Sequence, residues 1–154
     1  MIQEIRTWFD GPLILSGAIA TGRAILAAQA MGADLGYIGS PFIATEEANA
    51  TPEYKKGIVD GRADDVVYSS LFTGVHGNYL APSIVKAGMD PANLPEGDVT
   101  TMNFGGGEGS KAKAWKDIWG SGQGIGAITE VASAGAFIEK LKREYQEARQ
   151  RLAL

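Results

Sequence analysis

The sequence predicts an α/β fold built around two parallel strands that are connected by a helix. Two apolar runs, at residues 12–19 and 35–40, each carry glycine and other small residues towards their ends, and short apolar runs of this kind are typical of buried parallel strands. Between them, residues 22–31 have small apolar side chains and are followed by Gly32, a residue favoured where a helix ends. A helical crossover places the two strands side by side, with their carboxyl ends at one rim.

Start and stop signals predict the elements around this pair of strands. The chain opens with the end of an amphipathic helix that has Ile2, Ile5 and Trp8 on one side and is ended by Gly11-Pro12. Residues 45–48 and 51–53 each have a threonine followed by acidic residues or proline, which is the pattern of a helix start. Residues 1–60 are therefore predicted to hold regular β/α units, and an opening within a helix suggests a chain that begins in the middle of a fold.

The rest of the chain is predicted to hold an irregular region and a terminal helix. Residues 61–128 contain one predicted strand at 66–69, a glycine-rich surface loop at 105–109 and a short helix at 110–119. Within residues 129–154, apolar side chains recur at helical spacing from Ser133 onwards, which predicts a long helix. The apolar residues of that helix are Phe137, Leu141, Tyr145, Ala148 and Leu152, and its predicted ion pairs are Glu139–Arg143 and Glu147–Arg151.

Composition excludes several functional classes. The chain has 154 residues, a net charge of −4 and no cysteine, which excludes disulfides, a thiolate nucleophile and cysteine-based metal sites, and a reducing, cytoplasmic location is expected. The basic residues are scattered or lie among acidic ones, which does not favour nucleic acid. No apolar run approaches the roughly 20 residues of a membrane span, the amino terminus lacks the pattern of a signal peptide, and no metal site is predicted.

The two strand ends predict a phosphate-binding site. Ser16, Gly17 and Ala18 follow the first strand, and Gly39 and Ser40 follow the second. Glycine lets the backbone approach a phosphate without a clash at Cβ, Ser40 adds a hydroxyl donor, and the helix that begins near Gly22 can add the positive end of its dipole. The alternative interpretation, that these small residues only permit tight turns between strand and helix, stays open at this stage.

Two further positions are candidate functional residues. His76, the only histidine, lies in a glycine-rich segment; it is a weak candidate for a general base, and the structural alternative is a loop histidine that bonds the backbone of its turn. Gln123 lies among four glycines in residues 119–126, where the backbone can lie flat against a ring while the amide contacts its edge. The alternative for that segment is a flexible connector before the terminal helix.

The same residues resemble a known family. Residues 12–23 and 33–45 have an apolar strand, a glycine-containing pair, a helix opening with Gly-Arg, then Gly-Ala-Asp, a second strand and Gly-Ser-Pro-Phe. This order resembles the C-terminal half of the nitronate monooxygenase (2-nitropropane dioxygenase) family, and Thr73-Gly74 and residues 119–123 look like later landmarks of it. The chain departs from the pattern at Gly17-Ala18, where the family usually has two glycines, and at residues 75–78, where arginine is common.

The resemblance implies the C-terminal part of a (β/α)8 TIM barrel, namely its last two strands, followed by an irregular region and a terminal helix. It further implies an FMN-dependent enzyme that oxidises alkyl nitronates with O2. Gly17, Ala18, Gly39 and Ser40 would hold the FMN phosphate, and Gln123 would lie near the flavin. The first six barrel strands and the family's catalytic histidine would lie outside this chain, and His76 does not occupy the motif of that histidine.

Two alternatives to this function remain. One is a flavin-dependent enoyl-acyl-carrier-protein reductase of the related barrel group, because substrate choice depends mostly on loops and on the half of the barrel outside this chain. The other alternative follows from the chain length: the protein would be an inactive half-barrel with open sheet edges. It would need a partner, either a complementing N-terminal half or a second copy in a homodimer.

Overall fold

The computed structural model describes residues 1–97 and 117–153. The chain begins with helix α1 (Ile2–Arg6), strand β1 (Ile14–Ser16), helix α2 (Gly22–Ala30) and strand β2 (Leu35–Tyr37). Two helices follow, α3 (Ser40–Ile43) and α4 (Pro52–Asp60), and then strands β3 (Val66–Ser69) and β4 (Gly77–Leu80) and helix α5 (Ala81–Lys86). Helix α6 (Ala134–Leu152) ends the described chain, and single turns of 3₁₀ helix occur at Ala63–Asp65 and Gln123–Ala127.

Strands β1 and β2 pair in parallel, as predicted, with Leu15 opposite Gly36. Helix α2 covers one face of this pair, where Gly36 leaves room for Ile19 and Ile25. The prediction that both strands are buried is wrong for the other face: Ile14 is 52% exposed and Leu35 is 54% exposed. The reason is that no described element packs on that face, so the strands are buried on one side only.

Helix α1 is shorter than its apolar pattern suggested. It ends at Arg6, so Trp8 lies beyond it and is 73% exposed, whereas Ile2 is buried. The guanidinium of Arg6, the last residue of the helix, donates to the Gly32 carbonyl at 2.9 Å and pairs with the Asp34 carboxylate at 2.6 Å. Asp34 also accepts from the Leu13 amide at 2.7 Å, and this amide, followed by Arg6, holds the pKa of Asp34 below its ordinary value.

The second helix start was predicted correctly and the first was not. The Thr51 hydroxyl accepts from the Tyr54 amide and caps α4, which has Pro52 in its first turn. Residues 45–48 instead form turns after α3. Thr45 is buried, donates its hydroxyl to the Phe42 carbonyl, and forms a parallel bridge with Ala132, so its side chain closes α3 rather than opening a new helix.

The predicted strand at 66–69 is present, and its partner was missed. Strand β3 pairs antiparallel with β4, so that Tyr68 lies opposite Asn78. The segment after Ile118 runs along the other edge of β4: the Leu80 amide donates to the Trp119 carbonyl at 2.8 Å, and the Ser121 amide donates to the Asn78 carbonyl at 3.0 Å. The glycines around residue 77 concealed this strand, because glycine is depleted in strands.

The main core lies between α3, α4, β4 and the segment 118–128. Tyr54 stacks on Trp119 with ring centroids 5.2 Å apart, and its hydroxyl donates to the Gly120 carbonyl at 2.5 Å; burial raises the pKa of Tyr54. The buried residues of this core are Ala44, Ile58, Leu80, Trp119, Ile125 and Ile128. Trp119 is therefore a core residue, and the segment that carries it is packed rather than a free connector.

Helix α6 begins where it was predicted, with the Ser133 hydroxyl accepting from the Ala136 amide. It packs against α2, with Leu141 buried. Its ion pairs differ from the prediction: Glu139 bonds Lys142 at 2.6 Å, and Arg143 lies 3.9 Å from Glu147. Each glutamate thus pairs with a different basic residue from the one predicted. On an exposed helix face such a pair contributes only about a few tenths of a kcal/mol to stability.

Some expectations fall outside the described residues. The surface loop at 105–109 lies wholly outside them, as does most of the helix at 110–119. Over the residues that are described, no helix is long and apolar enough to cross a membrane. Within the same residues, no group of three or more histidine, cysteine or acidic side chains is arranged to hold a metal ion.

Candidate functional site at the ends of β1 and β2

The ends of β1 and β2 meet at one rim and border a cavity of about 170 Å³. The parallel register brings Ser16 opposite Tyr37, so the residues that follow each strand are neighbours. All five residues predicted at the strand ends line the cavity, together with two glycines from the other end of the chain. These residues are Ser16, Gly17, Ala18, Gly39, Ser40, Gly122 and Gly124, and we call them the cradle.

The first side of the cradle is a left-handed turn. Gly17 has φ +103° and Ala18 has φ +53°, which turns the chain sharply away from β1. The conformation suits Gly17, but for Ala18 the left-handed region costs about 1–2 kcal/mol. The turn points the chain back over the strand end and leaves the Ala18 amide without an acceptor among the described residues.

The second side of the cradle is Gly39, whose identity the protein's own structure does not require. Its φ of −112° is open to any residue, and a Cβ at this position would meet no atom of the described residues within 4 Å. A Cβ at Gly17 would likewise meet none of them. Both glycines line the cavity, and the absence of a side chain at either position lets a ligand approach the backbone closely.

The polar groups of the cradle suit an anion. Within the described residues, the amides of Gly39 and Ser40 have no acceptor. The Ser40 Oγ accepts from the Gly122 amide at 2.8 Å, which fixes the hydroxyl in place while its own hydrogen stays available to donate. None of the described residues that line the cavity is charged, so among them only amide and hydroxyl dipoles are available to attract an anion.

Gly122 and Gly124 support the cradle from behind. A Cβ on Gly124 would lie 2.7 Å from the Ala18 carbonyl oxygen, so this glycine is in close contact with the backbone of the left-handed turn. Gly122 holds Ser40 through the bond just described. The sequence singled out this segment for its glycines, but only the structure shows that two of them touch the two strand ends.

Gln123, which lies between these glycines, is exposed and does not line the cavity. Its side-chain nitrogen lies 3.5 Å from the Asn78 Oδ1 on strand β4. The amide is therefore directed towards the β3–β4 hairpin. That Gln123 lies near a flavin stays a prediction, which this placement beside the cradle leaves open.

The amino terminus of α2 does not serve the cradle, contrary to expectation. The Gly22 amide donates to the Glu144 carboxylate of α6 at 2.8 Å, and the Ala24 amide donates to the Thr21 hydroxyl. Two of the amides that could have met a phosphate are thus satisfied, and a negative side chain already occupies the positive end of the helix. The sequence contained no signal for this long-range cap, because Glu144 is 122 residues away.

His76 lies on the hairpin and not in the cradle. Its ring stacks on Tyr68, with centroids 4.7 Å apart and 24° between the planes. The turn before it is held by Thr73, whose hydroxyl donates to the Val75 carbonyl and accepts from the Val75 amide. Among the described residues it is therefore the Thr73 hydroxyl that bonds the backbone of this turn, and a backbone bond from His76 stays a prediction.

The site and fold together define a class: an α/β protein with a cradle of small residues at the carboxyl ends of two parallel strands. Comparison with known proteins identifies the family. The model of the family described as nitronate monooxygenase matches residues 1–144, and the chain belongs to this family.

Individual relatives agree with this membership. The chain is 25% identical over 146 residues to the nitronate monooxygenase of Paraburkholderia phytofirmans, covering 92% of this chain. Among solved structures, the nitroalkane oxidase of Streptomyces ansochromogenes has a TM-score of 0.73 at 26% identity over 98% of this chain. FabK from Thermotoga maritima has a TM-score of 0.70 at 22% identity over 99% of it, which is a likeness of fold.

The chain spans less than half of the curated relatives that it matches. It covers 40% of the Paraburkholderia protein, 44% of the Streptomyces structure and 50% of the Thermotoga structure. The described residues accordingly show a mixed α/β arrangement with two separate two-stranded sheets.

Proposed function

We propose that this chain supplies the phosphate site of an FMN-dependent oxidoreductase that oxidises alkyl nitronates with O2. Family membership supports the type of reaction. The Streptomyces protein named above, a structural relative, is called a nitroalkane oxidase, and this name describes a related oxidation. In this proposal β1 and β2 are the last two strands of a (β/α)8 barrel, the position at which such barrels commonly bind a phosphate.

The open space at Gly39 is the observation on which the proposal chiefly depends. Neither backbone conformation nor packing within the protein requires glycine there, and a closely bound ligand does. The amides of Ala18, Gly39 and Ser40, with the Ser40 hydroxyl, would hold the FMN phosphate. When bound, FMN supplies the redox chemistry by taking electrons from the substrate and passing them to O2.

The residues of this chain would bind and orient the cofactor without supplying the base. His76 lies on the hairpin, beyond Gln123 and outside the cradle, and no catalytic role is assigned to it. Since no charged side chain of the described residues lines the cradle, phosphate affinity would depend on how accurately the amides are held. The contacts of Gly122 with Ser40 and of Gly124 with Ala18 would provide that preorganisation.

The uncovered face of β1 and β2 supports the proposal that this chain functions together with a partner. Ile14, Leu35 and Tyr37 are each more than half exposed on that face, and such an apolar surface beside open strand edges favours association. We propose that further parallel strands cover it, from a complementing N-terminal half or from a second copy. Light scattering after size exclusion, with the flavin spectrum of the same peak, separates a yellow dimer from a colourless monomer, and the latter would contradict activity of this chain alone.

The cradle is tested by titrating the purified chain with FMN and following the quenching of flavin fluorescence. A valine at Gly39 fills the cavity, and we expect Gly39→Val to weaken FMN binding at least tenfold, about 1.4 kcal/mol. Gly135→Val is the matched control, because Gly135 is exposed on α6 and its nearest neighbour would be 4.0 Å from the new Cβ. Equal FMN affinity of the two variants would overturn the proposed site.

A further inference from the structure

A second cavity lies between α3, the segment 128–132 and the first half of α6. It has a volume of about 140 Å³, and we call it the α3–α6 cavity. Pro41, Ala44 and Ile128 give it a buried apolar lining. Phe137 of α6 also lines it and packs edge-on against Phe42, with ring centroids 5.1 Å apart. Of the described lining residues, Pro41 alone also lines the cradle cavity, so the two cavities are distinct sites.

Backbone contacts between distant segments fix the walls of the α3–α6 cavity. Thr45, just after α3, forms a parallel bridge with Ala132, and the Glu46 amide donates to the Ala132 carbonyl at 3.0 Å. Both carboxylate oxygens of Glu47 accept from the Ala134 amide, at 2.8 Å and 3.0 Å, which holds the first turn of α6 in place. The fold therefore positions the walls in advance, and a bound molecule would not have to order them.

Two basic side chains of α6 line the same cavity. Lys140 and Arg143 are three residues apart and so lie on one face of the helix. Lys140 is half-buried, and none of the ion pairs of the described residues includes it. Arg143 lies 3.9 Å from Glu147 in an exposed pair, which contributes little and leaves the guanidinium able to meet a ligand. Among the described lining residues Glu130 is the one carboxylate, so two positive charges face one negative charge and the lining favours an anion.

The size and the lining favour a compact apolar body that carries one carboxylate. An apolar cavity of roughly 150 Å³ holds a benzene ring, so the α3–α6 cavity has room for one ring. Phe137 would give that ring an aromatic neighbour. A carboxylate on the ring would pair with the Lys140 ammonium and with the Arg143 guanidinium, whose planar fork matches carboxylate geometry.

We propose that the α3–α6 cavity is a binding site for a small aromatic monocarboxylate of about the size of benzoate. Its ring would contact Phe137 and Ile128, and its carboxylate would meet Lys140 and Arg143. The site goes beyond the proposed function, because it lies in a different cavity from the cradle and selects its ligand by side-chain charge rather than by backbone amides.

The experiment titrates the purified full chain with benzoate and measures affinity by isothermal titration calorimetry. Benzamide has the same shape without the charge, and benzylamine carries the opposite charge. We expect saturable binding of benzoate and affinity weaker by about fivefold or more for each of the other two compounds, because only the carboxylate forms charge-assisted bonds with both cations. Benzamide or benzylamine binding as tightly as benzoate would overturn the proposal, as would the absence of benzoate binding.

Variants locate the bound benzoate. Lys140→Gln and Arg143→Gln should each weaken it by about threefold or more, whereas Lys140→Arg should retain most of the affinity. Lys142→Gln is the matched control, because Lys142 is exposed on the same helix, pairs with Glu139 and does not line the cavity. Ala136→Leu adds carbon atoms to an exposed residue that lines the cavity, so it should abolish benzoate binding while the circular dichroism spectrum stays unchanged. Unchanged benzoate affinity in both Lys140→Gln and Ala136→Leu would contradict the assignment.

The proposed FMN site and the α3–α6 cavity fail in different ways. Gly39→Val should lose FMN affinity and bind benzoate as the parent chain does, whereas Lys140→Gln should lose benzoate affinity and retain FMN. Equal FMN affinity in Gly39→Val and the parent chain bears on the cradle alone. Loss of benzoate binding in Gly39→Val would place the carboxylate in the cradle and overturn the second site.

Discussion

The glycines at the rim of the cradle and the glycines that pack against other segments of the chain differ in what a methyl group would meet. At Gly17 and Gly39 a Cβ would enter open space. At Gly124 it would lie 2.7 Å from the Ala18 carbonyl oxygen, and at Gly22 it would lie 2.1 Å from the Leu141 carbonyl oxygen. Packing explains the second group, whereas no described neighbour explains glycine at position 39, so we expect variants of the second group to lose stability and variants at Gly39 to keep it.

The largest expected effect is on the second group, at the contact between α2 and α6. We expect Gly22→Ala to destabilise the chain by more than about 3 kcal/mol or to prevent folding, since overpacking against backbone atoms cannot be relieved by a rotamer change. The added Cβ would also lie 2.4 Å from the Tyr145 amide nitrogen. Urea unfolding followed by circular dichroism measures the loss.

Gly135→Ala is the matched control for that experiment. Gly135 is in the first turn of α6, and its Cβ would come no closer than 4.0 Å to a neighbour. The change should be neutral or stabilising by up to about 1 kcal/mol, because alanine loses less backbone entropy in a helix than glycine does. A Gly22→Ala variant as stable as Gly135→Ala would mean that α2 and α6 are less closely packed than the structure shows.

A smaller effect is expected at Gly124, where packing and ligand binding are coupled. Gly124→Ala should cost about 1–3 kcal/mol of stability and should also weaken FMN binding, because displacing Ala18 moves an amide of the cradle. Gly126→Ala, two residues later, is the control, since its Cβ would meet only the Arg62 side chain at 3.9 Å. Both quantities are measured on each variant, by urea unfolding and by FMN titration.

The expected effect of Gly124→Ala on both stability and FMN binding distinguishes Gly124 from Gly39. A variant at Gly39 should lose FMN and keep its stability, whereas Gly124→Ala should lose both. If Gly124→Ala lost stability with full FMN affinity, the segment 122–124 would support the fold without preorganising the cradle.

The sequence predicted the parts of the site that depend on neighbours in the chain. The parallel pairing of β1 and β2 and the meeting of Gly17 with Gly39 follow from a local strand, helix and strand order. The Glu144 cap on α2 and the bond from Gly122 to Ser40 could not be predicted, because they join residues 122 and 82 positions apart. Strand β4 was missed because its first residue is glycine, and the hydrogen bonds of its neighbours override that low propensity.

The exposure of Ile14 and Leu35 marks a different limit of sequence reasoning. A continuous apolar run predicts burial on both faces of a strand, yet only the α2 side is covered among the residues described. The apolar run shows that both faces of the strands are suited to packing, and the described residues cover only one of these faces. The same run is therefore a correct prediction of strand type and an incorrect prediction of burial.

The smallest expected effect concerns the junction that positions β1 and β2 from their amino-terminal ends, opposite the cradle. Asp34 accepts from the Leu13 amide and pairs with Arg6, and these contacts lower its pKa in the folded chain. A carboxyl with a lowered folded pKa binds fewer protons when folded than when unfolded. It therefore adds stability above its unfolded pKa of about 3.9, and this contribution is lost as the pH falls through the folded value.

Asp34→Asn should accordingly lower the urea midpoint at neutral pH, and the gap from the parent chain should close as the pH falls below the ordinary carboxyl value, through the lowered folded pKa of Asp34. Asp64→Asn removes the same charge at an exposed position outside this junction and is the control variant. Because Asp34 is at the end of the strands away from the cradle, FMN affinity at neutral pH should be the same in both variants. A fall in FMN affinity in Asp34→Asn alone would show that the two ends of the β1–β2 pair are coupled, so that the cradle depends on the position of the whole pair as well as on its own supporting glycines.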